Sequence, residues 1–262
     1  EEDISKITHH DILSEYENFK TRTKYLISNN SIIKNKSFEL FNQNICENKF
    51  ISNNLDYENN NQNCDSLNRY VSTHQKSNQI ILMLGNQTCS QFSHENPPLK
   101  VLESYLSFGM SSVLFKLFRE KNGLTYDVGV FNPSRKQNSP FLVYLSVSNK
   151  NALLAFQLIS ELWQKLLSSQ INDKELVLAK EKLKSAFLIS NQSLEEILQK
   201  KIRLISNNLH QNYDLFYLKK IEKVTSKEIL EITKKYLSMP FLSIYGDKKI
   251  CNEIKRSWCT KF

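Results

Sequence analysis

Three absences narrow the reading before any pattern does. No apolar run in the 262 residues is long enough to cross a bilayer, and no signal peptide opens the chain. The sequence therefore reads as a soluble protein, and its start at Glu1 rather than methionine is expected of a processed or excerpted product. Paired cysteine is missing too. Cys46, Cys64, Cys89, Cys251 and Cys259 are odd in number and form no Cys-x-x-Cys, which argues against a disulfide framework or a zinc knuckle. Free thiols suit a reducing compartment, the cytoplasm. Arginine is the third scarcity: of 35 basic residues only Arg22, Arg69, Arg119, Arg135, Arg203 and Arg256 carry guanidinium. A net charge of +8 invites a nucleic-acid partner. The lysines, however, are spread over helix faces beside glutamates, with no basic cluster interleaved with aromatics. Solvated faces account for the charge, and neither nucleic acid nor membrane is expected as a partner. The sequons at Asn29, Asn86 and Asn191 are what an asparagine-rich chain produces by chance.

What is present centres on Gly109–Tyr126, Gly-Met-Ser-Ser-Val-Leu-Phe-Lys-Leu-Phe-Arg-Glu-Lys-Asn-Gly-Leu-Thr-Tyr. Gly109 breaks a preceding helical run, and Ser111 or Ser112 can cap a new helix. Val113, Leu114, Leu117 and Phe118 recur at spacings of three and four, an apolar stripe. Gly123 stands where a left-handed C-terminal cap belongs. Leu124, Tyr126, Val128 and Val130 then alternate as in a strand. The stretch is a loop, a short helix, a glycine stop and a strand, with Arg119 in the helix's last turn and Tyr126 at the strand's start.

Around it, Ile80–Leu84 closed by Gly85 reads as a buried strand, and Pro97-Pro98 opens a helix to about Phe108. Phe141–Ser148 alternates as a strand with one wetter face. Helices follow at Ala152–Ser168, from Asn172 to about Ile189, from Ser193, around Leu215–Ile221 and from Thr225, and then a strand at Phe241–Tyr245. Strands and helices segregate rather than alternate strictly. That is the α+β signature, a two-layer antiparallel sheet with helices packed on one face.

The chain also repeats itself. Ile7-Thr8-His9-His10-Asp11-Ile12-Leu13 echoes Val224-Thr225-Ser226-Lys227-Glu228-Ile229-Leu230 at a constant offset of 217 residues. Both copies place an N-cap threonine three residues before an acid, a capping box, and both lead to a Tyr-Leu and a short apolar segment, Tyr25–Ile27 and Phe241–Tyr245. Residues 1–41 are therefore expected to be the closing helix and strand of a preceding repeat. Residues 42–78, rich in Asn, Gln, Ser and Asp, read as a linker with one edge strand near Tyr70–Thr73. A domain over 79–247 and a charged tail over 248–262 complete the division.

Gly109, Ser111, Ser112, Leu114, Phe115, Arg119, Glu120, Gly123, Leu124 and Tyr126 together resemble the second, non-zinc-binding half of the insulinase, pitrilysin and processing-peptidase family of metallopeptidases. The likeness extends from about Gln79 to Asp247. It departs at Val113, where the family often has arginine, and at Ser107-Phe108, which replace glycines. The resemblance implies the same two-layer fold. It also implies a zinc-bearing homologous half, in the same polypeptide or as a separate subunit, carrying His-x-x-Glu-His. His9, His10, His74, His94 and His210 nowhere have that spacing, so this chain is expected to bind no cofactor and to be inactive alone, with zinc in the partner half. By the resemblance, Arg119 holds a backbone carbonyl of a peptide substrate, and Tyr126 donates to the oxyanion formed when the peptide is attacked. Gly109, Ser111 and Ser112 would form a loop touching the bound peptide. Read from the residues alone, Arg119 could simply offset its helix's carboxyl end. Tyr126 could be a half-buried strand tyrosine, and the loop a plain turn. A structural subunit of the same fold, like the core proteins of a respiratory complex, is the alternative function.

Overall fold

Alternating apolar residues in the long strands determine which way the sheet faces. The computed structural model describes residues 4, 6–22, 69–190 and 192–261. Within them five strands pair in the order β1-β5-β2-β4-β3: β1 Tyr70–His74, β2 Gln79–Thr88, β3 Asp127–Phe131, β4 Ser139–Ser148 and β5 Phe241–Gly246. The register sets Leu82 opposite Leu145 on one side and Ile244 on the other. One face thereby collects Ile80, Leu82, Leu84, Val143, Leu145, Leu242 and Ile244, all buried. A one-residue slip of any strand would turn its share of that set to water. The opposite face is open, with Val71, Ile81, Met83 and Phe131 exposed.

The helices are α1 His9–Thr21, α2 Asn96–Ser107, α3 Ala152–Ser168, α4 Asp173–Ile189, α5 Leu194–Ser206, α6 Tyr213–Lys223, α7 Ser226–Leu237 and α8 Lys248–Lys261, with a π-helix at Phe115–Lys121. α2, α3, α7 and α8 meet the strands, and α4 and α6 pack outside α2. α3 buries Ala155, Phe156, Ile159, Leu162, Trp163 and Leu166 at spacings of three and four, one continuous stripe. Its Trp163 indole N–H donates to the Leu237 carbonyl at 2.9 Å, which ties α3 to the end of α7. Local signals set the helix starts. Asn172 accepts from the Lys174 N–H, Ser193 from the Glu196 N–H, and Thr225 forms a full capping box with Glu228. The observed architecture is α+β, one sheet with helices on one face.

Three features differ from the sequence reading. The sheet is not wholly antiparallel: β1 runs parallel to β5. Antiparallel geometry is favoured where a hairpin joins two strands, and no hairpin joins these. β1 is the edge strand expected near Tyr70–Thr73, but it joins the sheet rather than a linker between units. The Tyr70 hydroxyl fixes it to the Cys251 carbonyl at 2.9 Å. The tail, finally, is a helix. Cys251, Ile254 and Trp258 of α8 are buried at spacings of three and four. The folded unit thus runs from β1 through α8, and the boundaries at 79 and 247 fall inside it. α1 has the expected position and cap, whereas the strand expected at Tyr25–Ile27 and residues 42–68 lie outside the described residues.

Candidate functional site

The segment between α2 and β3 is held from its buried side. Gly109 adopts φ +74°, a left-handed conformation that other residues enter at a cost, and turns the chain out of α2. The Ser112 N–H closes the turn on the Gly109 carbonyl at 3.1 Å. The helix opens at Val113, and the Lys116 N–H reaches the Ser112 carbonyl at 3.0 Å, which puts Ser112 at the N-cap position. Leu114 and Phe118, both fully buried, anchor the helix to the core. From Phe115 the turn widens to π geometry, and the Asn122 side-chain amide donates to the Leu117 carbonyl at 2.7 Å. Gly123, at φ +57°, ends the helix. Its N–H reaches the Arg119 carbonyl at 3.2 Å, and the Leu124 N–H reaches that of Phe118 at 2.8 Å.

Past Gly123 the chain departs from the expected alternation. Leu124 and Thr125 are both buried. The Thr125 hydroxyl donates to the Ser146 carbonyl and accepts from the Asp127 N–H, the latter at 3.0 Å. The strand starts only at Asp127, and Tyr126 is expelled from the face it was expected to share with Leu124 and Val128. It is 88% exposed. The half-buried strand tyrosine is thereby corrected: Thr125 takes the inward position and holds it with its hydroxyl.

Arg119 meets Tyr126 on this exposed side. Its guanidinium carbon lies 5.0 Å from the centre of the Tyr126 ring and 4.9 Å from that of Phe115. Each such cation–π contact contributes about 0.5–1 kcal/mol at an exposed site. Among the described residues no carboxylate pairs with Arg119, and neither its N–H groups nor the Tyr126 hydroxyl has a hydrogen-bond partner. The guanidinium is positioned by rings, which leaves all five donors directed at solvent. Phe115, one helical step before Arg119, is the member that sequence reasoning missed as a site residue. Its signal was an aromatic four residues ahead of an arginine, a spacing that puts side chains side by side on a helix.

Of the loop residues, Gly109 and Ser111 are exposed beside Met110, whereas Ser112 is buried. Ser112 is therefore corrected out of the peptide-facing set, because its side chain points into the fold. A cavity of about 350 Å³ lies on the other row of the helix, lined by Val113, Lys116, Leu117 and Lys121, and reaches neither Arg119 nor Tyr126. On its rim the Tyr105 hydroxyl is pushed up to about 12 by burial and the neighbouring Glu175 carboxylate. Among the described residues no set of side chains is gathered that would fit zinc. All five histidines are exposed, and no three His, Cys, Asp or Glu side chains converge among the described residues. No described helix is long and apolar enough to cross a membrane.

Comparison with known proteins meets this geometry from outside. Residues 38–183, more than half of the chain, match the family model of the peptidase M16 inactive domain. A protein of Rickettsia felis named an uncharacterized zinc protease is 32% identical over 125 residues, 47% of this chain and 27% of that protein. One of Rickettsia bellii with the same name is 29% identical over 170 residues, 63% and 38%. The chain thus spans well under half the length of these relatives. Among solved structures, a peptidase M16 inactive domain from Pseudomonas fluorescens superposes with a TM-score of 0.61 at 20% identity, over 68% of this chain and 43% of that one. A protease from Helicobacter pylori gives 0.60 at 19%, over 67% and 43%. Both structures speak to the fold alone. From the extent of the sequence match, this chain belongs to the peptidase M16 inactive-domain family.

Proposed function

We propose that this domain is the half of a zinc metalloendopeptidase that binds peptide and completes the active site of a zinc-bearing homologous half. The observation that carries the reading is the Arg119–Tyr126 pair. Two groups suited to a peptide carbonyl stand 5.0 Å apart, ring centre to guanidinium carbon, on an open surface, with their hydrogen-bonding capacity unengaged. Arg119 holds a backbone carbonyl of the substrate with charge-assisted bonds. Tyr126 donates its phenol to the oxyanion that develops at the attacked carbonyl. Gly109, Met110 and Ser111 border the peptide. The metal and the activated water belong to the partner half. Nothing within the described residues of this chain encloses Tyr126, so the partner also supplies the wall that excludes water from the site.

Cleavage of an unstructured peptide, measured for the zinc-bearing half with and without this chain, tests the proposal. Turnover is expected only when both are present, and Arg119→Lys, which loses the planar fork, should raise KM about tenfold or more. Equal turnover without this chain would end the proposal. The second reading, a catalytically silent structural subunit of the same fold, draws on the cation–π stack, which holds Arg119 and Tyr126 together whether or not a peptide binds. It expects co-purification with a large assembly and no cleavage beside any zinc-bearing partner.

A further inference from the structure

The cavity of about 350 Å³ between α2, the π-helix, α3 and the first turn of α4 reaches neither Arg119 nor Tyr126, and the peptide-facing pair makes no use of it. Its floor is apolar. Leu162 is buried, while Val113, Leu117 and Leu158 are half-buried against the core and turn their remaining surface to the hollow. Its rim is cationic. Lys116 and Lys121 come from the π-helix and Lys165 from the last turn of α3. Lys182 of α4 stands close to Lys116: partial burial, and then the Lys116 charge, hold its ammonium below the usual lysine range.

Among the described residues no carboxylate forms an ion pair with any of these four lysines. The two carboxylates that line the cavity are engaged by neutral donors instead. Glu161 accepts from the Gln157 side-chain amide at 2.9 Å, and Glu175 from the Tyr105 hydroxyl at 3.4 Å. Like charges gathered without a counter-charge repel, and an anion seated among them relieves that repulsion. A bare inorganic anion would answer the rim and leave the floor wet. A purely apolar molecule would cover the floor and desolvate the ammoniums with nothing in exchange. We infer that the cavity is a binding site for a small amphiphilic carboxylate, its apolar body laid over Val113, Leu117 and Leu158 and its head group taken by the lysine rim. The volume sets the size. At the ~30 Å³ that one water occupies in the liquid, the hollow holds about a dozen non-hydrogen atoms, which suits a saturated chain of about eight carbons and is too small for a nucleotide.

The inference does not rest on the peptidase proposal, since no cleavage is read and neither Arg119 nor Tyr126 is altered. Its test is a titration of the whole chain with octanoate, followed by NMR through the methyl signals of Leu117 and Leu158. Saturable shifts are expected at both residues. Affinity should rise about three- to fourfold for each methylene from butanoate to octanoate, because every added carbon lies on the floor. Octylammonium, of equal length and opposite charge, should bind about tenfold or more weakly than octanoate, and inorganic phosphate at equal concentration should not displace it. Lys116→Gln with Lys165→Gln, both at exposed positions, should weaken octanoate about tenfold or more and leave the unfolding midpoint unchanged. Three results overturn the inference: equal affinity for octanoate and octylammonium, which would make the floor an indifferent apolar patch; full displacement by phosphate, which would make the rim a simple anion cluster; or no saturable shift at Leu117 and Leu158. The comparison of the two octyl probes on the unaltered protein decides even where the double variant does not fold.

Discussion

The segment from Ser112 to Tyr126 has two sides that obey different rules. On one side Ser112, Leu114, Phe118, Leu124 and Thr125 are buried, and each has an evident part in holding the chain to the core. On the other, Phe115, Arg119 and Tyr126 form an outward stack: Tyr126 is 88% exposed, and among the described residues Arg119 meets two rings and no carboxylate. Folding explains the first set completely. It leaves the second unexplained, and a large tyrosine held almost fully in solvent beside an unpaired arginine is where a function is to be sought.

Substitutions on the two sides should separate stability from activity. The largest effect is expected inside: Phe118→Ala should cost about 3–5 kcal/mol, enough in a marginally stable domain to abolish cooperative unfolding by calorimetry. Next comes Gly123→Ala, which forces a Cβ into the left-handed region at φ +57° and should destabilise by about 1–2 kcal/mol in denaturant melts. Phe115→Leu removes one ring from the stack and should cost about 0.5–1 kcal/mol of Arg119 ordering, read as a loosened guanidinium in NMR relaxation with the melting midpoint unmoved. A loss of stability on the scale of Phe118→Ala would place Phe115 with the buried side and break the comparison. The smallest effect lies away from both sides. Glu95 is held below the ordinary carboxylate range by hydrogen bonds from Lys235 and Tyr236. Its contribution is present above the usual value of 4.5 and is lost as pH falls through the lower folded value. Lys235→Ala should flatten that part of the acid melting profile slightly, with no change in the melting midpoint at neutral pH beyond the loss of one exposed ion pair.

Much of the fold was legible because its long elements carry strong periods. β4 and α3 were readable as alternation and as a three-and-four stripe, and Thr225 marked the start of α7 through its capping box. What escaped was short or locally contradictory. The strand near Tyr70–Thr73 was readable, but its place in the sheet was not, because it is five residues inside a polar stretch, and α8 hides Cys251, Ile254 and Trp258 among lysines. The site was legible in part. The seven-residue spacing of Arg119 and Tyr126 is in the sequence, and so is the glycine stop at the end of the helix. That Thr125 rather than Tyr126 would turn inward is not, because it depends on a hydroxyl finding the Ser146 carbonyl across the sheet. The π geometry that brings Arg119 between two rings likewise has no residue-level signature.

The most direct measurement is the turnover number of the zinc-bearing half assembled with the Tyr126→Phe chain, taken beside the melting midpoint of the same variant. Removing one hydroxyl from a ring that is 88% exposed should leave the midpoint where it was and lower kcat by on the order of 10²–10³. Unchanged kcat from a folded, assembled variant would contradict the account and leave the Arg119–Tyr126 stack a surface contact.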